Sequence, residues 1–194
     1  LPSILSSGVT QINILVGTII ASFQSGAVSY LYYADRVYQI NLAIAGIAVG
    51  TVSLPVLSKA FKTKDLKKIS NIQNKSFELS LLLSVPASLG LILASEEIVT
   101  ALFGYGSFSK DDVTLTAEAL KYFGFGVPAF ALVKILSNFY LARDNTKIPF
   151  YISMFIVILN ILISVSFFSK IGFIIIPIAT SISTWIGVFI YLYL

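Results

Sequence analysis

The sequence predicts an all-α protein, a polytopic membrane helix bundle with six spanning helices. Hydrophobic residues make up 57% of the 194 residues and charged residues only 11%, whereas a typical soluble domain is about 25% charged. The mean hydropathy is +0.91. A soluble fold of this size could not bury so much apolar surface, and we infer that the protein lies in lipid.

Six segments are long and apolar enough to cross a bilayer, which takes about 20 residues in an α-helix. The second carries Asp35 and Arg36 near its start, while Pro86, Pro128 and Pro177 lie inside the third, fourth and sixth. Spanning helices tolerate internal prolines because neighbouring groups satisfy the freed carbonyls. The predicted spans are 1–23, 29–57, 77–95, 113–142, 148–169 and 171–194.

The charges of the loops predict the orientation. A basic linker at 59–75 holds six lysines against Asp65, and the loop at 143–147 adds Arg143 and Lys147. The loop at 96–112, on the opposite side, is mainly acidic. Because basic loops stay inside, we expect the linker and both chain ends to be cytoplasmic. The lysines of the linker are Lys59, Lys62, Lys64, Lys67, Lys68 and Lys75.

The linker also has apolar residues at roughly helical spacing, namely Phe61, Leu66, Ile69 and Ile72. This pattern is compatible with a helix lying on the inner leaflet with its lysines near anionic lipid. The preferred interpretation is an ordinary positively charged loop. Since the chain starts and stops inside apolar runs, we expect it to be a fragment.

Several kinds of chemistry are disfavoured by composition. The chain has no Cys and no His, which removes thiolate nucleophiles, histidine bases and the usual zinc sites. We therefore predict that it is not an enzyme and needs no cofactor. The net charge of +4 is explained by cytoplasmic loops, so we predict no nucleic-acid partner.

The second span carries the main candidate site. Gln39 follows Arg36 by three residues and Asp35 by four, so the three side chains share one polar arc of a helix. A polar arc within a span indicates a water-filled cavity, and the planar fork of an arginine suits phosphate. The alternative is a charge pair at a helix end that reaches the membrane interface.

Other polar positions leave two interpretations open. Lys134 either extends to the interface or lines a cavity. Asn160 with Ser164, and Thr180 in the last span, either coordinate a cation or form a polar packing seam. The pair Gly46 and Gly50 predicts close helix packing, and Gln11 and Asn13 predict interhelical hydrogen bonds.

Several runs along the chain resemble the MurJ (MviN) family of lipid II flippases, in the MOP flippase superfamily. The longest are GAVSYLYYADR at 26–36 and GTVSLPVLS at 50–58. Shorter ones are QIN at 11–13, AS at 21–22, LFGYG at 102–106, FYLARD at 139–144 and TKIP at 146–149. The resemblance implies a two-lobe transporter with a central cavity, of which this chain is the second lobe, about helices seven to twelve.

The resemblance also implies roles for individual residues. Arg36 would meet the substrate diphosphate, with Asp35 as its functional neighbour and Ser29 lining the same cavity. Gln39 and Lys134 are further substrate-binding candidates. Gln39 stands where family members often have Glu.

Some relatives hold a cation among the counterparts of the first, fifth and sixth helices, a pattern that Asn160 and Thr180 fit. Gly17 and Ser164, however, stand where acids can occur. This departure leaves membrane potential or protons as drivers.

We therefore predict a flippase for the lipid-linked peptidoglycan precursor lipid II, working by alternating access in the bacterial cytoplasmic membrane. Its partners would be lipid II (the undecaprenyl-diphosphate-linked muropeptide), membrane lipids and the missing first lobe. The alternatives are a flippase for another polyprenyl-linked glycan of the O-antigen type and a non-transporting scaffold for cell-wall enzymes.

Overall fold

The computed structural model describes the backbone from residue 2 to residue 194 and the surroundings of side chains from residue 11 onward. Leu1, where the first predicted span begins, lies outside the described residues. The described chain is an all-α bundle. Its helices are α1 (Pro2–Ala21), α2 (Ala27–Leu42), α3 (Val49–Lys62), α4 (Leu66–Leu93), α5 (Ser95–Phe103), α6 (Lys110–Leu141), α7 (Lys147–Ile171) and α8 (Ile175–Tyr193).

Helices α2 and α3 form one continuous helix, joined by a π-helical segment at Ala43–Ala48 that the sequence pattern did not predict. A π turn takes in an extra residue, so it shifts the faces of α3 relative to those of α2. Gly46 lies in this segment, and a Cβ placed there would be 3.1 Å from the Cα of Ala131 on α6. The predicted close packing at Gly46 is therefore present.

Helix α6 is the centre of the bundle and packs against α2, α4, α5 and α8. The facing side of α4 presents small buried residues at every fourth position, and small residues let two helix backbones approach closely. One of them, Ser88, donates a hydrogen bond of 2.7 Å to the carbonyl of Gly124 on α6. The row is Ser76, Ser80, Ser84 and Ser88.

Helices α7 and α8 fold back on each other through a short 3-10 turn at Gly172–Ile174. Gly172 has φ +75°, in the region that favours glycine. Gly187 of α8 lies directly against Ile156 of α7. At the turn, the backbone N–H of Phe173 donates to the side-chain oxygen of Gln24 (2.9 Å), which ties the hairpin to the α1–α2 connection.

The predicted linker at 59–75 is mostly helical, so it is not an ordinary loop, and its position on the inner leaflet stays a prediction. It is helical except at 63–65, because α3 continues to Lys62 and α4 begins at Leu66. Asp65 caps α4 by accepting a hydrogen bond from the backbone N–H of Lys68 (3.0 Å). The end of α3 packs on the α6–α7 connection, where the guanidinium of Arg143 lies 4.8 Å from the ring centre of Phe61. Both basic segments therefore lie at the same end of the bundle.

The predicted acidic loop at 96–112 also differs, because its first half is the short helix α5. Four helical runs of the described chain reach the length and apolar character of a membrane crossing, and α1 adds a shorter apolar stretch at Gln11–Ala21. The number of runs is four and not the predicted six, because α7 and α8 form one run through the short 3-10 turn and α1 reaches only the shorter stretch. The four runs are Ala27–Lys62, Leu66–Leu93, Lys110–Leu141 and Lys147–Tyr193.

Candidate functional site

A cavity of about 190 Å³ lies between α1, α2 and the helices behind them, α6, α7 and α8. We call it the α1–α2 cavity. Its wall mixes apolar side chains with a few polar ones, which is the usual character of a small-molecule site. The ring of Tyr38 is stacked on Phe123, with ring centres 4.6 Å apart. The polar and aromatic lining residues are Asn13, Thr18, Tyr32, Asp35, Tyr38, Phe123, Asn160 and Thr180.

Asp35 is the one carboxylate among the described residues that line the cavity. It is half-buried and accepts a hydrogen bond from the side-chain amide of Gln39, one turn further along α2. The predicted polar arc is thus partly confirmed: Asp35 and Gln39 interact directly. The carboxylate has a local partner without needing Arg36.

Arg36 points to a different side of α2 from Asp35, because neighbouring residues on a helix are about 100° apart. Its side chain is exposed. The guanidinium donates a hydrogen bond to the hydroxyl of Tyr32 (3.1 Å) and lies 4.7 Å from the centre of the same ring. Tyr32 lines the cavity, so Arg36 is held at the cavity rim.

Four exposed residues of α2 follow one another at intervals of three, four and three, which places them on one side of the helix. They form the polar face of α2: Ser29, Tyr32, Arg36 and Gln39. Asp35 lies on one flank of this face, in the cavity. Tyr33 lies on the other flank, in a second pocket described below. An arginine on an exposed face inside a span needs water or another polar partner.

Lys134 is not near these residues in the structure. It is exposed on α6, and its side chain runs beside Gly50 of α3. A Cβ placed on Gly50 would be 3.8 Å from the Cγ of Lys134. The structure therefore does not bring Lys134 into the α1–α2 cavity with Asp35.

The two candidate cation ligands are in contact with each other. The amide nitrogen of Asn160 donates to the hydroxyl of Thr180 (2.8 Å), and Ser164 donates to the side-chain oxygen of Asn160 (3.3 Å). Thr180 in turn donates to the carbonyl of Ile176 (2.8 Å). This arrangement has the form of a polar packing seam. Among the described residues, no group of three His, Cys, Asp or Glu side chains could hold a metal.

Tyr32 and Tyr38 are site residues that the sequence reasoning did not single out. The available signal was their spacing, since Tyr32 precedes Arg36 by four residues and Tyr38 follows Asp35 by three. Asn13 was noted only as a packing residue, and it lines the cavity. Gln11 is exposed on α1 and is not part of the cavity wall.

The whole chain, residues 1–194, matches the family model described as "Lipid II flippase MurJ". A probable lipid II flippase MurJ from Rickettsia prowazekii (strain Madrid E) is 40% identical over 184 residues, which are 95% of this chain and 36% of that protein. The chain thus spans about a third of the length of this relative. The resemblance given by the sequence motifs is confirmed.

Solved structures agree with this match. A lipid II flippase MurJ in an inward closed conformation superimposes with a TM-score of 0.89 at 32% identity, over 99% of this chain and 41% of that one. An outward-facing multidrug resistance transporter of the MATE family, in the MOP superfamily, gives a TM-score of 0.85 at 19% identity, over 99% of this chain and 42% of that one. The second likeness concerns the fold alone.

Proposed function

Because the chain belongs to the family of the lipid II flippase MurJ, we propose that it is one lobe of a two-lobe flippase that moves lipid II across the bacterial cytoplasmic membrane. The family is one of transporters and not of enzymes, and the chain is a multi-pass membrane protein. Residues 1–194 would form the second-lobe bundle. The remaining length of the relatives would supply the first lobe, which forms the opposite wall of the central cavity.

Six crossings fit the packing of the helices. Asn160 and Thr180 are 20 residues apart but in hydrogen-bond contact, whereas a straight helix would place them about 30 Å apart. The run Lys147–Tyr193 would therefore contribute two crossings. With α1, the continuous α2–α3 helix, α4 and α6, the total would be six.

An even number of crossings would put both chain ends on one side. The contact between Arg143 and Phe61 supports a cytoplasmic position for that side, because it gathers the basic residues at one end of the bundle.

The observation that carries the substrate proposal is the setting of Arg36. Its guanidinium is exposed and steadied by the ring and hydroxyl of Tyr32, while Asp35 is bound to Gln39 instead. The guanidinium is planar, permanently charged and carries several hydrogen-bond donors, so in this position it suits the diphosphate of a lipid-linked substrate. Ser29 and Gln39, on the same polar face, would offer further hydrogen bonds to the headgroup.

The proposed cycle involves no bond chemistry. The polar headgroup of undecaprenyl-diphosphate-linked muropeptide would enter a hydrated cavity from the cytoplasmic side while its polyprenyl tail stays among membrane lipids. The lobes would then rock and open the cavity outward, and a conformational change of this kind needs different contacts with the substrate in its two states. Arg36 would be one such contact.

The proposal is tested with Arg36→Ala in the full-length protein. Loss of one charge-assisted contact typically costs about 1.5–3 kcal/mol, or roughly a tenfold to hundredfold loss in affinity. We expect loss of growth support in cells that depend on the flippase, with near-normal protein level in the membrane. Arg36→Lys keeps the positive charge but lacks the planar guanidinium, so we expect it to support growth only partly.

Two other outcomes would count against the proposal. Full complementation by Arg36→Ala would remove Arg36 from the substrate site, as a non-transporting scaffold for cell-wall enzymes would predict. Reduced membrane abundance that is rescued by stabilising changes elsewhere would make Arg36 structural. A flippase for another polyprenyl-linked glycan would retain the need for Arg36 but would bind that glycan lipid in preference to lipid II.

A further inference from the structure

A second pocket, of about 480 Å³, opens between α2 and the α5–α6 loop. We call it the aromatic pocket; its five lining residues are Tyr33, Phe103, Tyr105, Ser107 and Phe108. The ring of Tyr33 packs against those of Phe103 and Phe108, with ring centres 4.8 Å and 5.3 Å apart. These three rings form the inner wall, and Tyr105 stands at the mouth with 73% of its surface exposed.

The loop that carries Tyr105 is shaped by two glycines. Gly106 has φ +66°, and a Cβ on Gly104 would lie 2.6 Å from the carbonyl oxygen of Thr100. The chain therefore turns sharply on both sides of Tyr105. As a result this large ring projects from the bundle and is not packed into its core.

The two sides of the pocket are fixed to each other. Ser109 and Asp112 form a reciprocal capping box at the start of α6, directly after the loop. Asp112 also accepts a hydrogen bond from the hydroxyl of Tyr30 on α2 (2.9 Å). Tyr33 lies one turn further along α2. The wall from α2 and the wall from the loop are thus held in place before any ligand arrives.

The aromatic pocket lies next to Arg36. Tyr33 precedes Arg36 by three residues, so their Cβ atoms are neighbours about 5–6 Å apart on the helix. Tyr32, which holds the guanidinium, is edge-on to Tyr33, with ring centres 6.1 Å apart. A diphosphate at Arg36 would therefore lie about one helical turn from Tyr33, the residue of α2 that lines the pocket.

The lining favours a neutral ring with hydroxyl groups. None of the five described lining residues is charged, and Asp111 and Asp112 at the adjacent start of α6 disfavour an anion. Aromatic faces bind the apolar faces of flat ligands, while the hydroxyls of Tyr105 and Ser107 can exchange hydrogen bonds. A pyranose ring has both apolar faces and polar edges.

We propose that the aromatic pocket binds a pyranose ring of the lipid-linked substrate while its diphosphate lies at Arg36. This inference rests on the proposed function, because it assumes a glycosylated polyprenyl diphosphate as the ligand. The pocket would then be a specificity site, which distinguishes the glycosylated lipid from the bare carrier.

The test compares two probes on the full-length protein in nanodiscs: lipid II, and undecaprenyl diphosphate, which has the same anionic group and no sugar. We expect Tyr105→Ala to weaken binding of lipid II by roughly three- to tenfold, the range for one aromatic contact, and to leave undecaprenyl diphosphate unchanged. Tyr105→Phe keeps the ring and should bind lipid II nearly as well as the parent. Tyr151→Ala, at an aromatic residue with 66% of its surface exposed on α7, is the matched control.

Unchanged lipid II binding in Tyr105→Ala, or equal weakening of both probes, would overturn the sugar site and assign Tyr105 to the aromatic belt at the membrane interface. Arg36→Ala separates this inference from the proposed function, since it should weaken both probes. Arg36→Ala could leave the binding of both probes unchanged while Tyr105→Ala weakens the binding of lipid II. In that case the aromatic pocket would remain the sugar site and Arg36 would not be the phosphate site. If the parent binds neither probe, both proposals are wrong.

Discussion

Asn160 on α7 donates a 2.8 Å hydrogen bond to Thr180 on α8, although 20 residues separate them. The bond joins the two arms of the final hairpin at the edge of the α1–α2 cavity. Both groups were candidates for cation binding because their side-chain oxygens could coordinate a cation. With the amide nitrogen of Asn160 directed at Thr180, the pair is satisfied within the protein.

We expect Asn160→Ala to destabilise the full-length protein modestly, because interhelical hydrogen bonds in membranes are worth about 0.6 kcal/mol and at most about 1.7 kcal/mol. The thermal unfolding midpoint should fall slightly and to the same extent in sodium and in potassium chloride. Asn160→Asp is the companion variant, since it introduces a carboxylate beside Thr180. If sodium raised the thermal unfolding midpoint of the parent but not that of Asn160→Ala, Asn160 and Thr180 would instead form a cation site.

We expect the same substitution to be tolerated at Gly90 and to be destabilising at Gly46. A Cβ on Gly46 would lie 3.1 Å from the backbone of Ala131, whereas a Cβ on Gly90 meets nothing within 4 Å. Gly46→Leu should force the π-helical segment away from α6 and cost about 1–3 kcal/mol or more, while Gly90→Leu should be nearly neutral. Thermal stability and membrane abundance of both variants check this. Equal losses would mean that helix conformation, and not close packing, sets the requirement for glycine.

The orientation is predicted to place Asn71 in the cytoplasm and Ser107 outside. Both residues are exposed, and the chain has no cysteine of its own, so Asn71→Cys and Ser107→Cys can be labelled singly in a cysteine-free parent. We expect an impermeant thiol reagent added to intact spheroplasts to label only the Ser107→Cys protein. Permeabilised cells, in which both should react, are the control. Labelling of Asn71→Cys from outside would reverse the assignment.

Arg36 and Lys134 are both exposed cations that were predicted as substrate-binding candidates, but their surroundings differ. Arg36 stands beside the α1–α2 cavity, and Lys134 lies along α3 near Gly50. Arg36→Gln should therefore weaken lipid II binding by roughly tenfold to a hundredfold, and Lys134→Gln should change it little. Binding measured by native mass spectrometry, with thermal stability recorded beside it, compares the two. A similar loss in Lys134→Gln would bring α6 into the substrate path.

Much of the architecture could be predicted from the sequence because it depends on local properties. Each predicted span corresponds to one or more observed helices, since apolar length in lipid forces the backbone to satisfy its own hydrogen bonds. The contact between Asp35 and Gln39 was also predictable, because residues four apart on a helix are neighbours. The family resemblance rests on contiguous runs such as residues 26–36, which are read directly from the chain.

Tertiary packing decided the rest. The sequence placed Asp35 and Arg36 on one arc, but only the positions of α1 and α6 put Asp35 in a cavity and left Arg36 at its rim. The pairing of Asn160 with Thr180 and the contact of Arg143 with Phe61 join residues far apart in the chain. The aromatic pocket likewise combines Tyr33 with a loop some 70 residues later. Periodicity fixes which residues share a face of one helix, whereas the partner of that face depends on how separate helices pack.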